Sequence, residues 1–170
     1  MIMERDYFSA SAVELAPALV GKLLCRKING QVLRVRITET ECYYGEEDSA
    51  CHAHKGRTPR TDVMYGKGGR AYVYLCYGIH NLLNITTGPE GHPEAVLIRG
   101  VEGIMGPGKV TKFLSIDRGL NRTVLSPKNG LWLEDDEFVS KIVRSTRVGI
   151  GYAAKKDQEI LWRFTDEASL

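Results

Sequence analysis

The stretch Asn29-Gly30-Gln-Val32-Leu-Arg-Val-Arg-Ile-Thr38, continuing to Cys42, decides the fold. Between Val32 and Cys42, Leu33, Val35 and Ile37 fall on one side and Arg34, Arg36 and Thr38 on the other. That period of two belongs to a half-buried antiparallel strand, and Asn-Gly just before it is a hairpin signal. Upstream, Ser11-x-x-Glu14 has the form of a capping box, and Val13, Leu15, Leu19, Val20 and Leu23 suit a helix that Pro17 is expected to break in two. Downstream, Ala71–Tyr77, Leu82–Thr87 and Ala95–Val101 read as strands. A short helix follows Gly106-Pro107-Gly108, carried by Val110, Phe113, Leu114 and Ile116, and Leu131–Leu133, Ile142–Ile150 and Ile160–Phe164 read as further strands. Strands and helices do not alternate regularly, so the expectation is α+β, a single domain over residues 1–170 around an antiparallel sheet.

Composition agrees. With 170 residues, 43% hydrophobic and 26% charged, the chain can bury a core and is neither disordered nor collagen-like. No apolar run approaches the roughly 20 residues of a membrane span, and Met1–Ser9 lacks the apolar core of a signal peptide, so a soluble intracellular protein is expected. The net charge is only +2, yet Lys55, Arg57, Arg60, Lys67 and Arg70 stand against Asp62 alone, while acids gather at Glu46-Glu47-Asp48 and Glu134–Glu137. Such a stripe is either a directed anion site or a solvated loop face. The four cysteines form no CxxC pair, and adjacent Cys51-His52 cannot readily serve one tetrahedral ion, so packed reduced thiols and no metal are expected.

Gly103-Ile-Met-Gly-Pro-Gly108-Lys109-Val110 imitates a phosphate-binding P-loop between a strand and a helix. Val110 stands where that motif needs a hydroxyl for magnesium, and about 60 residues remain, too few for a parallel sheet at about 30 residues per βαβ unit. A P-loop nucleotidase is therefore disfavoured; a helix entry that touches a phosphate is not.

Three segments carry unusual chemistry. In Arg36-Ile-Thr-Glu-Thr-Glu41-Cys-Tyr43, strand alternation puts Glu39, Glu41 and Tyr43 on one face, a carboxylate beside a stacking surface. The same acids could instead face water and pair with Arg34 and Arg36. His52-Ala-His54-Lys-Gly-Arg57-Thr-Pro-Arg60 suits phosphate contacts and hydrogen-bonded recognition. In Tyr72-Val-Tyr74-Leu-Cys-Tyr77-Gly78, Tyr72 and Tyr74 share a face on which tyrosines are commonly packing, whereas Tyr77 sits at a Gly-flanked tip, where wedge residues enter base stacks.

Together with Leu15–Leu24, Glu94–Arg99, Gly106-Pro-Gly-Lys109 and Arg147-Val-Gly-Ile-Gly151, these segments resemble the alkyladenine (3-methyladenine) DNA glycosylases of the monofunctional, non-helix-hairpin-helix type over nearly the whole chain. The resemblance implies a curved antiparallel sheet with flanking helices and a protruding hairpin. It implies an enzyme that flips damaged purines (3-methyladenine, 7-methylguanine, hypoxanthine, ethenoadenine) out of double-stranded DNA and hydrolyses the N-glycosidic bond. By the family pattern Tyr77 is the wedge, Tyr43, His52, Tyr74 and Asn84 line the base pocket, and Glu41 is the general base. Arg99 and the Val148 carbonyl complete the water site, while Arg57, Thr58, Arg60, Met64, Thr86 and Lys109 contact DNA. No lysine falls in the pocket pattern, so Schiff-base chemistry is not expected. A monomer without cofactor or metal is expected, at the cytoplasmic nucleoid of a bacterium or in a eukaryotic nucleus. The competing class is a non-catalytic protein that binds damaged DNA. Departures from the family pattern are Gly68-Gly69, Cys51, His80 and a connection between Glu102 and Gly106 shortened to Gly103-Ile-Met.

Overall fold

Strand β2, Gln31–Tyr44, is the spine of the computed structural model, which describes residues 1–170. The hairpin signal is where it was expected. Asn29 and Gly30 take φ of 51° and 79°, and β1, Leu23–Ile28, runs back along β2 from Ile28↔Gln31 to Leu23↔Arg36. Positive φ at both turn residues gives the twist that two strands joined so tightly require. Beyond Arg36 the same edge of β2 is taken over by β9, Arg163–Asp166, while the other edge pairs with β5, Glu94–Val101, along Ile37–Tyr44. Strands β3 (Ala71–Cys76) and β4 (His80–Thr86) form a hairpin that joins β5, β7 (Leu131–Glu134) joins β1, and β8 (Ile142–Ser145) joins β9. With β6, Ile104–Met105, turning back onto β5, nine antiparallel strands make one open sheet. All pairing is antiparallel, which disposes of the parallel sheet a P-loop nucleotidase needs.

One face of this sheet holds the main core. Helix α1, Ala12–Leu19, and helix α3, Pro107–Phe113, lay Leu15, Leu19, Val110 and the following Leu114 against Ile37, Val73, Leu83, Ile85, Val96, Ile98 and Phe164. Ser11 caps α1 by accepting from the Val13 N–H, but the reciprocal carboxylate is not Glu14. Glu94, at the start of β5, accepts from the Ser11 hydroxyl (2.9 Å) and the Ala12 N–H (2.7 Å). No helix is long and apolar enough to cross a membrane.

Three expectations fail locally. Pro17 does not split a helix; α1 is one eight-residue element that ends two residues later, so the proline disturbs only its last turn, and Leu23 begins β1 instead. The strand expected over 142–150 stops at Ser145, because Arg147 is drawn out of the ladder into the interior by Asp48. The run Ile160–Phe164 is strand only from Arg163; Trp162 bonds back to Ile160 (3.0 Å) and offers its carbonyl to the Cys42 N–H (2.9 Å).

Candidate active site

Strand alternation builds the site on the sheet face opposite α1. Thr40 points to the helix side, its hydroxyl on the Ala16 carbonyl (2.6 Å), so Glu39, Glu41 and Tyr43 must point the other way. The cross-strand register then aligns Glu41↔Leu97, Leu97↔Asn84 and Asn84↔Tyr72, a row across four strands flanked by Tyr43 and Tyr74. The loop after β2 folds over this row. A 3-10 turn, His52–Lys55, and a one-turn helix α2, Asp62–Tyr65, bury Ala53, Val63 and Met64 against Tyr72 and Ala95. The alternative of solvated acids is excluded: Arg34 and Arg36 pair with Glu134 and Asp136, while Glu39 and Glu41 are buried.

A narrow pocket of about 40 Å³ lies between Tyr43, His52, Met64, Tyr72, Tyr74, Asn84, Ala95 and Tyr152. It shares Tyr43, His52, Tyr74 and Tyr152 with an open cleft of about 650 Å³ that also reaches Arg60, Tyr77, Arg99, Lys109 and Val148. His52 stands edge-on to Tyr74 (centroids 4.4 Å), and its Nδ1 bonds the Tyr72 hydroxyl at 2.9 Å. Burial, helped by the Arg60 charge, pushes the imidazole down to about 4, so at neutral pH it is an uncharged hydrogen-bonding wall. The Asn84 amide donates to the Tyr72 carbonyl (3.3 Å), which fixes it in the pocket floor.

Glu41 is 0% exposed. Its Oε1 accepts from the Tyr43 hydroxyl at 2.8 Å and its Oε2 from the Val148 N–H at 2.7 Å, and the Arg99 Nε is 3.8 Å from Oε2. Val148 thus holds the carboxylate through its N–H. Burial raises the proton affinity of Glu41, and Arg99, the Val148 N–H and the Tyr43 hydroxyl oppose that rise. Each carboxylate oxygen has a second lone pair beyond these bonds, which is what a group that takes a proton from water needs.

Val148 is delivered by its neighbour. The Arg147 side chain, 0% exposed, makes a two-pronged pair with Asp48 (2.7 and 3.0 Å), donates to the carbonyls of Cys42 and Asp157, and lies 5.1 Å from the ring centres of both Tyr43 and Trp162. Sequence reading missed this arginine, and also Tyr152, whose hydroxyl donates to the Ala50 carbonyl (2.7 Å) and whose ring walls both cavities. The local signal for either was the segment Arg147-Val-Gly-Ile-Gly151, which carried the family pattern without a role for the arginine.

At the β3–β4 tip Tyr77 is 90% exposed with φ of 53°, and Ile79 is 72% exposed. A left-handed tyrosine costs roughly 1–2 kcal/mol that glycine or asparagine would avoid, and solvent returns nothing for it. Strain at an exposed aromatic points to function rather than folding. The basic stripe is largely spent within the protein. Arg57 pairs with Asp62 (2.5 Å) and stacks on Tyr65, Lys67 pairs with Asp6, Arg70 donates to the Arg122 carbonyl, and Arg60 lies 5.1 Å over Tyr74. Thr58 is exposed and bonded to Thr61, and Lys109 lies exposed on the cleft rim. Met64 is buried in the pocket floor and Thr86 is wholly buried, its hydroxyl engaged by the Arg70 backbone, so neither presents a surface to a DNA phosphate.

A family model described as Methylpurine-DNA glycosylase (MPG) matches residues 6–105 and 102–169. The two matched segments meet at the β5–β6 turn, where Val101 pairs with Ile104 across Glu102 and a left-handed Gly103. Candidate 3-methyladenine DNA glycosylases, so named, are similar along the chain. The Psychrobacter cryohalolentis protein is 42% identical over 200 residues, covering 99% of this chain and 94% of the relative. That of Borreliella afzelii is 44% identical over 180 residues (98% and 97%), and that of Methanocella arvoryzae 40% over 188 (99% and 94%). An alignment of 200 positions to a chain of 170 leaves at least 30 positions of the Psychrobacter alignment without a counterpart here.

Proposed function

This chain belongs to the methylpurine-DNA glycosylase family, and from that premise we propose how its site performs the reaction. It is a hydrolase of N-glycosyl bonds, a DNA-3-methyladenine glycosylase of base excision repair acting on damaged DNA. The observation that carries the mechanism is a fully buried carboxylate, Glu41, held on one oxygen by Tyr43, which lines the aromatic pocket and the cleft, and on the other by Val148, which lines the cationic cleft.

A purine inside a duplex is out of reach, so the damaged nucleotide turns out of the stack. Tyr77 enters the gap from the minor groove, with Ile79 beside it. The base stacks against Tyr43 and Tyr74, with His52 as a hydrogen-bonding wall and Asn84 meeting the purine edge, where it obstructs the 2-amino group of normal guanine. Aromatic stacking favours electron-poor rings, which extends the substrates from 3-methyladenine to 7-methylguanine, hypoxanthine and ethenoadenine. Water in the cleft attacks the sugar C1′, Glu41 takes its proton, and the bonding pair of the breaking glycosidic bond leaves with the base. Arg99 keeps Glu41 ionised for that task. A base already cationic departs neutral without help; a neutral lesion also needs a proton on the leaving base. Arg60 and Lys109 face the DNA backbone across the cleft. The protein acts as a monomer on double-stranded DNA, without cofactor or metal. It works at the nucleoid if bacterial and in the nucleus if eukaryotic.

Glu41→Gln tests the reading. It should bind a damaged duplex as the parent does while single-turnover excision falls by about 10²–10⁴, the usual contribution of general-base catalysis. Excision that survives refutes the assignment and leaves the chemistry to another group.

A further inference from the structure

We infer that Glu39 and Arg163 are positioning residues of this reaction: by neutralising each other across β2 and β9 they leave the Arg99 guanidinium free to govern the protonation of Glu41. The inference rests on Glu41 acting as the general base.

It begins with a register fault. Between β2 and β5 the pairs run Ile37↔Val101, Glu39↔Gly100 and Thr40↔Ile98, so Thr38 on one strand and Arg99 on the other are skipped. Such bulges re-aim side chains near active sites. Here the fault brings Arg99 beside two acids at once, its Nε 3.5 Å from Glu39 Oε1 and 3.8 Å from Glu41 Oε2. Neither distance is a hydrogen bond, and this buried Nε has no other partner. Gly100 lets the strands close at the fault, since a Cβ there would meet Glu39 Cβ at 3.3 Å and Thr38 Oγ1 at 3.1 Å.

Left to itself, Glu39 would claim Arg99, being slightly nearer. Arg163 supplies a second cation: its Nη1 donates to Glu39 Oε2 at 3.1 Å, with the Thr165 hydroxyl at 3.5 Å from the same oxygen. The Arg163 Nε also donates to the Thr146 carbonyl (2.9 Å), two residues before the Val148 N–H that holds Glu41. The groups that bear on Glu41 are therefore Glu39 and Tyr43 from its own strand, Arg99 from β5, Arg163 from β9, the Val148 N–H and Arg147 from the connecting loop, and the Tyr152 phenol across the cleft. Among the charges, Glu39 holds the Glu41 proton affinity up and Arg99 draws it down. Arg147 is committed to Asp48.

The sign of each perturbation follows. Glu39→Gln removes a negative charge and leaves Arg99 wholly to Glu41, so the acidic limb of the rate profile should fall by about one pH unit, the low end of the shift a charge within a few ångström produces. Arg163→Gln leaves Glu39 uncompensated and pulls Arg99 away, so the limb should rise by a similar amount. Arg163→Lys restores the charge and should return the limb toward its parental position. The measurement is single-turnover excision of 7-methylguanine from a duplex across pH 5–9. On the acidic side of that range the leaving base already carries its charge and needs no further proton, so the acidic limb reports the general base rather than an acid. Opposite movements, with rescue by lysine, support the proposal. Slower rates with both limbs unmoved, or both limbs moving together, overturn it in favour of a purely structural cluster. If Arg163→Gln does not fold, the isosteric Glu39→Gln decides by itself, downward movement for and no movement against. Glu41→Gln runs alongside: if it remains active, the general-base reading fails first and this inference with it.

Discussion

Replacing Arg147 by Met would remove one half of an ion pair whose side chains are essentially without solvent. Asp48 would keep only the N–H groups of Tyr44 and Ala50, both at 3.0 Å, to hold a buried negative charge. Removing one member of such a pair costs about 3–5 kcal/mol, because the survivor is stranded rather than because the pair itself was strong. For a chain of this size each kcal/mol lowers Tm by about 2–4 °C, so a fall of about 6–20 °C is expected in thermal unfolding followed by circular dichroism. Asp48→Asn combined with Arg147→Met should cost less than the two single changes added together, since the double variant strands no charge. Excision should also slow at temperatures where the variant is fully folded, since Arg147 sets the peptide that presents the Val148 N–H to Glu41 and lies against Tyr43. A Tm loss under about 2 °C, or strict additivity in the double variant, would refute the argument that this pair is a buried organiser of the site.

Other tests reach different parts of the molecule. Tyr77→Asn should weaken binding to a duplex with a flipped lesion by about 1–3 kcal/mol, a lost stacking contact, while Tm holds or rises because asparagine accepts the left-handed φ of 53°; an unchanged affinity removes Tyr77 as the wedge. Lys109→Gln should lower the slope of log affinity against log salt by about 0.9, whereas Arg57→Ala should change it less, since Asp62 already holds that guanidinium; a parental slope in Lys109→Gln would remove Lys109 as a phosphate contact, and a drop as large in Arg57→Ala would mean that Asp62 does not withhold Arg57 from DNA. His92 bonds Glu94 at 2.6 Å and Glu47 at 3.0 Å, and although burial opposes its charge these acids raise its titration above the ordinary imidazole value. That stabilisation is fully present below the unfolded pKa of about 6.5 and is lost as pH rises through the folded one. His92→Gln should therefore lower Tm more at pH 6 than at pH 9, and an equal loss at both would mean that packing, not charge, is what His92 contributes.

How far the site could be read from the chain depended on whether the information was local. Glu41 and Tyr43 lie two apart on a regular strand, so alternation alone put them on one face, and they touch at 2.8 Å. Tyr77-Gly78 announced a turn by composition, and a turn is what forms. Pro17 misled because its penalty depends on how much helix follows, which is a matter of where α1 meets the sheet. The basic stripe was legible only as a count of charges: its partners Asp6, Asp62 and the Arg122 carbonyl are supplied in part from far along the chain, so composition could not show which of them Arg57, Lys67 and Arg70 meet.

The sequence by itself determined the antiparallel sheet, its first hairpin, the shared face of Glu39, Glu41 and Tyr43, and the exposed aromatic tip, because each follows from periodicity or turn chemistry within a few residues. It also carried enough family pattern to indicate base excision. Only the tertiary structure decided that Glu41 is without solvent, that Val148 meets it through an N–H, and that Thr86 is wholly buried. The same holds for the trio Glu39, Arg99 and Arg163, drawn from three strands and brought together by a register fault that no local pattern encodes. Burial and charge compensation are properties of what surrounds a side chain, and the groups that surround Glu41 come from positions up to 122 residues away along the chain, as Arg163 does.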